Sequence, residues 1–131
     1  MGAGRGIFFG VSVGPGDPEL LTRKACRVLE ACPVIGAAQT ARGEQLALSI
    51  ARRAVDLTGK EILSLPFSMA RDLSVRQAAW RRAAAMVRQV LDRGQDVAMV
   101  VLGDVSIYST YCYLMELLRE EGYETEMIPG V

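Results

Sequence analysis

The chain has 131 residues, half of them hydrophobic, and a formal charge of zero from 15 basic and 15 acidic side chains. A protein that binds nucleic acid usually presents a basic surface, so this balance argues against a nucleic-acid partner. The sequence contains no histidine, which excludes histidine-dependent catalytic triads and HExxH zinc sites from this chain. We predict no metal site.

Short apolar runs alternate with helix-like segments along the whole chain. We predict five strands, at residues 6–13, 34–37, 61–65, 96–102 and 124–128. Four helices are predicted between them, at residues 19–32, 44–55, 75–93 and 107–121, the third ended by Gly94. Alternating strands and helices are typical of a parallel sheet wrapped by helices. The expected fold is therefore α/β, with a mostly parallel five-stranded sheet flanked by helices.

Cysteine usage and hydropathy indicate the compartment. Cys26, Cys32 and Cys112 make an odd number and none belongs to a CxxC pair, which is typical of reduced, intracellular cysteines that serve as small core residues. No signal peptide and no apolar run of membrane-spanning length is visible. We predict a soluble cytoplasmic protein without membrane association.

The first predicted strand is followed by a glycine-rich loop. Gly14 and Gly16 would let the backbone approach a ligand closely, and Asp17 with Pro18 is a good helix start. The loop lacks the third glycine of GxGxxG and the Gly-Lys-Ser/Thr of a phosphate-binding P-loop. For Gly14, Pro15 and Gly16 together, a ligand-facing loop and a tight turn fit equally well, whereas Asp17 alone favours a capped turn without a ligand.

The fourth predicted strand is followed by a second polar loop, Gly-Asp-Val-Ser at residues 103–106. Ligands bind outside the carboxyl ends of strands in open parallel sheets, and Asp104 there could accept hydrogen bonds from ribose hydroxyls or an amino group. Ser106 could cap the next helix, whose first turn adds the hydroxyls of Tyr108, Ser109 and Thr110. A capped turn without a ligand is the alternative, and the carboxylate favours a site.

The remaining residues are weaker candidates for binding or catalysis. Residues 67–72 could line a substrate site, with Arg71 holding an acid, or form a surface loop with an Arg71–Asp72 pair, which the residues alone favour. Trp80 is predicted to lie in the core or in an interface. Arg81, Arg82 and Arg88 are predicted to form a solvated helix face. No catalytic residue can be identified.

Three motifs in this order resemble the tetrapyrrole methylase family. They are Val-Gly-Pro-Gly-Asp-Pro-Glu-Leu-Leu-Thr at residues 13–22, Leu-Gly-Asp at 102–104 with Tyr-Ser-Thr at 108–110, and Ile-Pro-Gly-Val at 128–131. The resemblance runs from about Gly6 to Val131. It implies homodimers of two α/β domains, with S-adenosylmethionine in the cleft between the domains. Residues 1–131 would be the N-terminal domain and one wall of that cleft, and a C-terminal domain would follow Val131.

Within the family, the chain is most similar to the precorrin-2 C20-methyltransferases, at residues 47–51, 67–72, 80 and 108–114. The uroporphyrinogen methyltransferases carry Tyr-Asp-Arg after the second strand, where this chain has Gly-Ala-Ala-Gln-Thr at residues 36–40. The resemblance implies methylation of precorrin-2 at C20, giving precorrin-3A in cobalamin biosynthesis. Cobalt-factor II as the substrate, and a non-catalytic α/β binding or dimerisation module, are the alternatives.

The resemblance also implies roles for individual residues. Those that would contact S-adenosylmethionine are Pro15, Leu102, Gly103, Asp104, Ile107, Tyr108, Ser109 and Thr110. Gly14, Gly16 and Arg71 would lie on the substrate side. The family usually has proline after the Gly-Asp pair, where this chain has Val105. This departure from the family motif predicts a less rigid loop here than in the family. The resemblance supplies no catalytic base.

Overall fold

The computed structural model describes residues 5–14, 17–38, 43–68, 70–102 and 110–129. All five predicted strands are present, each within one or two residues of its predicted bounds. The strands and helices in chain order are β1 Ile7–Ser12, α1 Arg23–Ala31, β2 Val34–Ala38, α2 Gly43–Ala54, β3 Glu61–Leu65, α3 Leu73–Asp92, β4 Val97–Val101, α4 Thr110–Glu120 and β5 Glu124–Ile128.

The five strands form one sheet in the order β3-β2-β4-β1-β5, and all four pairings are parallel. The predicted α/β fold is confirmed. The central strand β4 has the sequence Val-Ala-Met-Val-Val, and its first four residues are buried. A strand that is covered by helices on both faces needs such a continuous apolar run, because neither of its faces meets water.

The sheet divides the hydrophobic core into two halves. Side chains alternate along β4, so Val97 and Met99 pack with α3 and α4 on one face. Ala98 and Val100 pack with α1 and α2 on the other face. This division follows from the strand order, because right-handed crossovers that run towards β3 and crossovers that return towards β5 place their helices on opposite faces.

The first helix begins later than the sequence pattern predicts. Asp17 does act as a cap, with its Oδ1 accepting a hydrogen bond from Glu19 N at 2.9 Å, but it caps only a single 3-10 turn, Pro18–Leu20. Thr22 then caps α1, which starts at Arg23. The prediction of a helix from residue 19 was therefore wrong. Leu20, in the 3-10 turn, is 43% exposed.

The third helix is longer at its start than predicted. Asp72 Oδ1 accepts a hydrogen bond from Ser74 N at 2.9 Å, so Leu73 and Ser74, predicted as loop, are helical. At the other end Gly94 has a φ of 81°, and its N–H donates to the Leu91 carbonyl at 3.0 Å. The predicted glycine stop is confirmed. None of the described helices is long and apolar enough to cross a membrane.

The predicted solvated arginine face is correct for two of its three residues. Arg88 was predicted on a solvated face, but it is half-buried and forms an ion pair with Glu121, with Nε to Oε1 at 2.6 Å. Arg81 and Arg82 are exposed, as predicted.

Cys32 is a buried core residue, and burial raises the pKa of its thiol to about 12, so it stays protonated and unreactive at neutral pH.

Tyr111 fixes α4 to the sheet. Its side chain is fully buried, with its ring centroid 4.7 Å from that of Phe8. Its hydroxyl lies 2.9 Å from the Phe8 carbonyl oxygen in β1 and 3.0 Å from the Glu126 carbonyl oxygen in β5. Burial raises the pKa of this hydroxyl, so it remains a hydrogen-bond donor. The ring fills the space above Gly10, where an added Cβ would lie 2.5 Å from ring atoms.

Candidate binding site

The carboxyl ends of β1 and β4 form the candidate site. The two strands are adjacent, with Ser12 opposite Val101 at their ends. The chain leaves β1 towards α1 on one face of the sheet and leaves β4 towards α4 on the other face. Two adjacent strands whose connections part to opposite faces leave a crevice between them, which is where ligands bind in open α/β sheets.

The backbone at the end of β1 is held in a defined turn. Val13 N donates to the Val101 carbonyl oxygen at 2.9 Å, which continues the β1–β4 ladder. Gly14 N then lies 3.2 Å from Ser12 Oγ, and Gly14 is buried with a φ of 76°. Only glycine adopts this left-handed conformation without strain. Sequence reasoning missed Ser12, because a serine at the end of a predicted strand does not reveal its burial or this contact.

Thr22 ties the turn after β1 to the end of β5. Its hydroxyl oxygen accepts a hydrogen bond from Ala25 N at 3.1 Å, which caps α1. The same hydroxyl donates to the Pro129 carbonyl oxygen at 3.0 Å. This one hydroxyl therefore acts as both a donor and an acceptor. As a result, the segments that follow β1 and β5 are joined at the same edge of the sheet.

The structure brings together the described members of the two predicted loops. Gly14 follows β1 and Leu102 follows β4, so both lie at adjacent strand ends, and Leu102 is 38% exposed there. Thr110 is the first residue of α4. The remaining predicted cofactor and substrate residues lie outside the described ranges, as does Ser106; they are Pro15, Gly16, Gly103, Asp104, Ile107, Tyr108 and Ser109.

Arg71 lies at the same edge, in the segment between β3 and α3. The strand that it follows, β3, is about 10 Å from β4 at ordinary strand spacing, because β2 stands between them. The suggested Arg71–Asp72 pair is not among the ion pairs of the described residues. Asp72 instead accepts hydrogen bonds from Ser74, which hold its pKa below the ordinary value.

Known proteins of similar sequence include methyltransferases that act on two different substrates. The "Probable cobalt-precorrin-2 C(20)-methyltransferase" of Methanocaldococcus jannaschii is 36% identical over 124 residues, 94% of this chain and 52% of its own length. The cobalt-precorrin-2 C(20)-methyltransferase of Salmonella typhimurium is 33% identical over 96% of this chain and 53% of its own length. The precorrin-4 C(11)-methyltransferase of Pseudomonas aeruginosa is 32% identical over 95% and 43%. The chain spans about half the length of these relatives.

A solved structure of a related methyltransferase has a similar fold. The crystal structure of a cobalt precorrin-4 methyltransferase superposes with a TM-score of 0.70 and 24% identity, over all of this chain and 48% of that one. At this identity the likeness concerns the fold alone. The family model described as Tetrapyrrole (Corrin/Porphyrin) Methylases matches residues 8–131, nearly the whole chain. The chain therefore belongs to the tetrapyrrole (corrin/porphyrin) methylase family.

Proposed function

We propose that this chain is the N-terminal domain of an S-adenosylmethionine-dependent C-methyltransferase that methylates precorrin-2 at C20 to give precorrin-3A in cobalamin biosynthesis. One observation carries the proposal. The family match covers residues 8–131, and the two loops that carry the family motifs follow adjacent strands whose connections part at a crevice. A cofactor seated there would contact backbone from both loops.

Two observations bear on the position that is methylated. The two relatives named above that act on cobalt-precorrin-2 are 36% and 33% identical to this chain. A C(11)-methyltransferase follows at 32%, so methylation of precorrin-4 at C11 is the second candidate. The stretches at residues 67–72 and 108–114 favour C20. Cobalt-factor II, the metallated counterpart, is the alternative substrate for the same reaction at C20.

The chain would promote the reaction by positioning the cofactor and the substrate rather than by transferring a proton. S-adenosylmethionine, when bound, supplies a methyl group that its sulfonium already activates. The fixed turn from Ser12 to Gly14 would present backbone to the ligand, and Leu102 would exclude water beside it. Holding two reactants in line supplies a large part of the rate in such transfers. Arg71 would bind a carboxylate at the rim of the macrocycle.

The opposite wall of the cleft is proposed to come from a second domain of the same protein. Three exposed leucines lie at the carboxyl edge of the sheet: Leu20 in the 3-10 turn after β1, Leu46 in the first turn of α2, and Leu102 after β4. A second domain that docks at this edge would cover them. A homodimer in the cytoplasm completes the proposal.

The reaction is tested by incubating the full-length protein with S-adenosylmethionine and, separately, precorrin-2, cobalt-factor II and precorrin-4. We expect precorrin-2 or cobalt-factor II to gain the mass of one methylene unit, with the new methyl at C20. Methylation of precorrin-4 at C11 would support the second candidate. Absence of methyl transfer to all three, in a protein that is folded by circular dichroism, would support the non-catalytic module.

Asp104 provides a test of the cofactor loop. We propose that its carboxylate accepts hydrogen bonds from the cofactor, and a bond to a charged group contributes about 1.5–3 kcal/mol. Asp104→Ala should therefore weaken S-adenosylmethionine binding to the full-length protein by tenfold or more, measured by calorimetry. Asp56→Ala, which removes an exposed carboxylate at the opposite edge of the sheet, is the control and should leave binding unchanged. Unchanged binding in the Asp104 variant would disprove the role.

Substitution of Gly14 tests whether this residue contacts a ligand or only adopts a conformation that other residues find strained. Gly14 and Gly59 both have left-handed φ values, 76° and 84°, so alanine at either position should cost about 1–2 kcal/mol of unfolding free energy. Only the Gly14→Ala variant should also weaken binding of the tetrapyrrole substrate to the full-length protein, because Gly59 lies in a turn at the far edge with open space around it. Equal substrate affinity in both variants would show that Gly14 makes no contact with the substrate. Urea unfolding and calorimetry give the two quantities.

A further inference from the structure

The pairing between β1 and β5 ends just before the chain leaves the sheet. Val11 and Ile128 are the last paired residues of these two strands. Pro129 follows, and because proline has no backbone N–H, it cannot donate a hydrogen bond that would continue the ladder. Strand pairing alone therefore does not set the direction in which the chain leaves β5.

A side chain holds the first carbonyl beyond this point. The hydroxyl of Thr22 donates to the Pro129 carbonyl oxygen at 3.0 Å, across 107 positions of the sequence. Thr22 lies in the segment between β1 and α1, so the bond joins the two segments that leave neighbouring strands. The chain that leaves β5 is thus tied to the start of α1.

The start of α1 is a rigid anchor for this tie. Thr22 Oγ1 accepts a hydrogen bond from Ala25 N at 3.1 Å, and Cys26 N donates to the Thr22 carbonyl oxygen at 3.1 Å. The helix is in turn fixed to the sheet by Ala25 and Leu29, which are fully buried. A hydroxyl has a single proton, and here that proton is directed at Pro129. The position of α1 therefore sets the position of this carbonyl.

Lys24 makes a second link between the same helix and β5, but of another kind. Its Nζ lies 3.1 Å from Glu126 Oε2, and both side chains are about half exposed. Exposed ion pairs between long side chains contribute little and tolerate many geometries. Glu126 also lies within the strand, opposite Phe9, so the sheet already fixes its backbone. Of the two links, the one from Thr22 acts on the chain after the strand.

We propose that Thr22 is a positioning residue for the proposed methyl transfer, in addition to its role as a helix cap. By holding Pro129, it sets how the proposed second domain stands against the crevice at the ends of β1 and β4. The inference rests on the proposed function, because that function needs a cleft between two domains. Small displacements from the in-line arrangement of two reactants slow a transfer strongly. The hydroxyl therefore affects turnover although it touches neither reactant.

Substitutions in the full-length protein separate the cap from the tie. Thr22→Asp keeps a good helix cap, but an ionised carboxylate has no proton to donate to the Pro129 carbonyl. Thr22→Ser keeps both bonds, and Lys24→Gln removes only the exposed ion pair with β5. We expect Thr22→Asp to lower kcat about tenfold or more, with a smaller change in the KM for S-adenosylmethionine. The other two variants should stay within about twofold of the unchanged protein.

Small-angle X-ray scattering provides a measurement that does not depend on activity. Without ligands, the Thr22→Asp protein should show a broader distribution of interatomic distances than the unchanged protein, because its two domains are less firmly oriented. The Thr22→Ser protein should show the unchanged distribution. Circular dichroism checks that each variant is folded. If the carboxylate prevents folding, Thr22→Val, which has the shape of threonine without the hydroxyl, takes its place and should give the same broadening.

The outcomes distinguish this role from the proposed function. If the unchanged protein methylates none of the three macrocycles, the proposed function fails, and broadened scattering of the Thr22→Asp protein still supports the tie. A folded Thr22→Asp protein with unchanged kcat and unchanged scattering would overturn the positioning role. A loss in the Thr22→Ser or Lys24→Gln protein as large as that in the Thr22→Asp protein would overturn it as well.

Discussion

Replacing Tyr111 with alanine should lower the free energy of unfolding by about 4 kcal/mol, the largest effect that we expect from a single substitution outside the candidate site. The change removes a fully buried ring that packs against Phe8, and it removes the hydroxyl that contacts carbonyls of both β1 and β5. The space is closed by the sheet below and by α4 above, so it cannot collapse without moving the helix. Urea unfolding measures the loss.

The control for this prediction is Tyr111→Phe, which keeps the ring and removes only the hydroxyl. It should cost about 1 kcal/mol, the net contribution of a neutral hydrogen bond. The difference between the two variants then measures packing alone. If both variants lost the same amount, the hydroxyl rather than the ring would be what holds α4, and the packing argument would fail.

Gly10→Ala should cost about 3 kcal/mol, at the upper end of what overpacking usually costs. Gly10 has ordinary strand geometry, so the reason is steric: the new methyl group would lie 2.5 Å from Cδ2 and Cε2 of Tyr111. The ring cannot swing away, because its hydroxyl is held by two carbonyls and its face packs on Phe8. Either α4 must lift from the sheet or β1 must bend.

Gly36→Ala is the matched control, since Gly36 also lies within a strand of the same sheet. The nearest atom to its added methyl group is Leu65 Cδ1 at 3.3 Å, the end of a flexible side chain, so the cost should stay within about 1 kcal/mol.

A second control combines two substitutions. In a Tyr111→Ala background, the loss of unfolding free energy caused by Gly10→Ala should disappear. A penalty that persists there would place its origin in the backbone and not in the ring.

The extent to which the sequence predicts this fold depends on how local the determining contacts are. The Val-Ala-Met-Val-Val run of β4 and the Gly94 stop are set by nearby residues, and both were predicted. The start of α1 was not, because Asp17 and Thr22 are both good caps and only the packed structure shows that the first serves a single 3-10 turn. Strand order depends on distant pairing and could not be obtained from periodicity.

In the candidate site, too, local features were predicted and features that depend on distant contacts were not. The two loops were predicted because parallel strands end at one edge, and Gly14 and Leu102 do lie at adjacent strand ends. That β1 and β4 are neighbours follows only from the sheet. Ser12 and Thr22 were missed for different reasons: Ser12 bonds within its own turn but looks like an ordinary strand residue, whereas the partner of Thr22 lies 107 positions away.

The place of β1 within the sheet has a consequence for how the chain folds during synthesis. Both neighbours of β1, the strands β4 and β5, come from the far end of the sequence, and Ile7 N donates to Asp96 Oδ1 across 89 positions. Because β1 leaves the ribosome before β4 and β5, it must wait, apolar and without these partners, while β2 and β3 join each other. Until β4 emerges, Phe8 and Val11 are the natural targets for a chaperone.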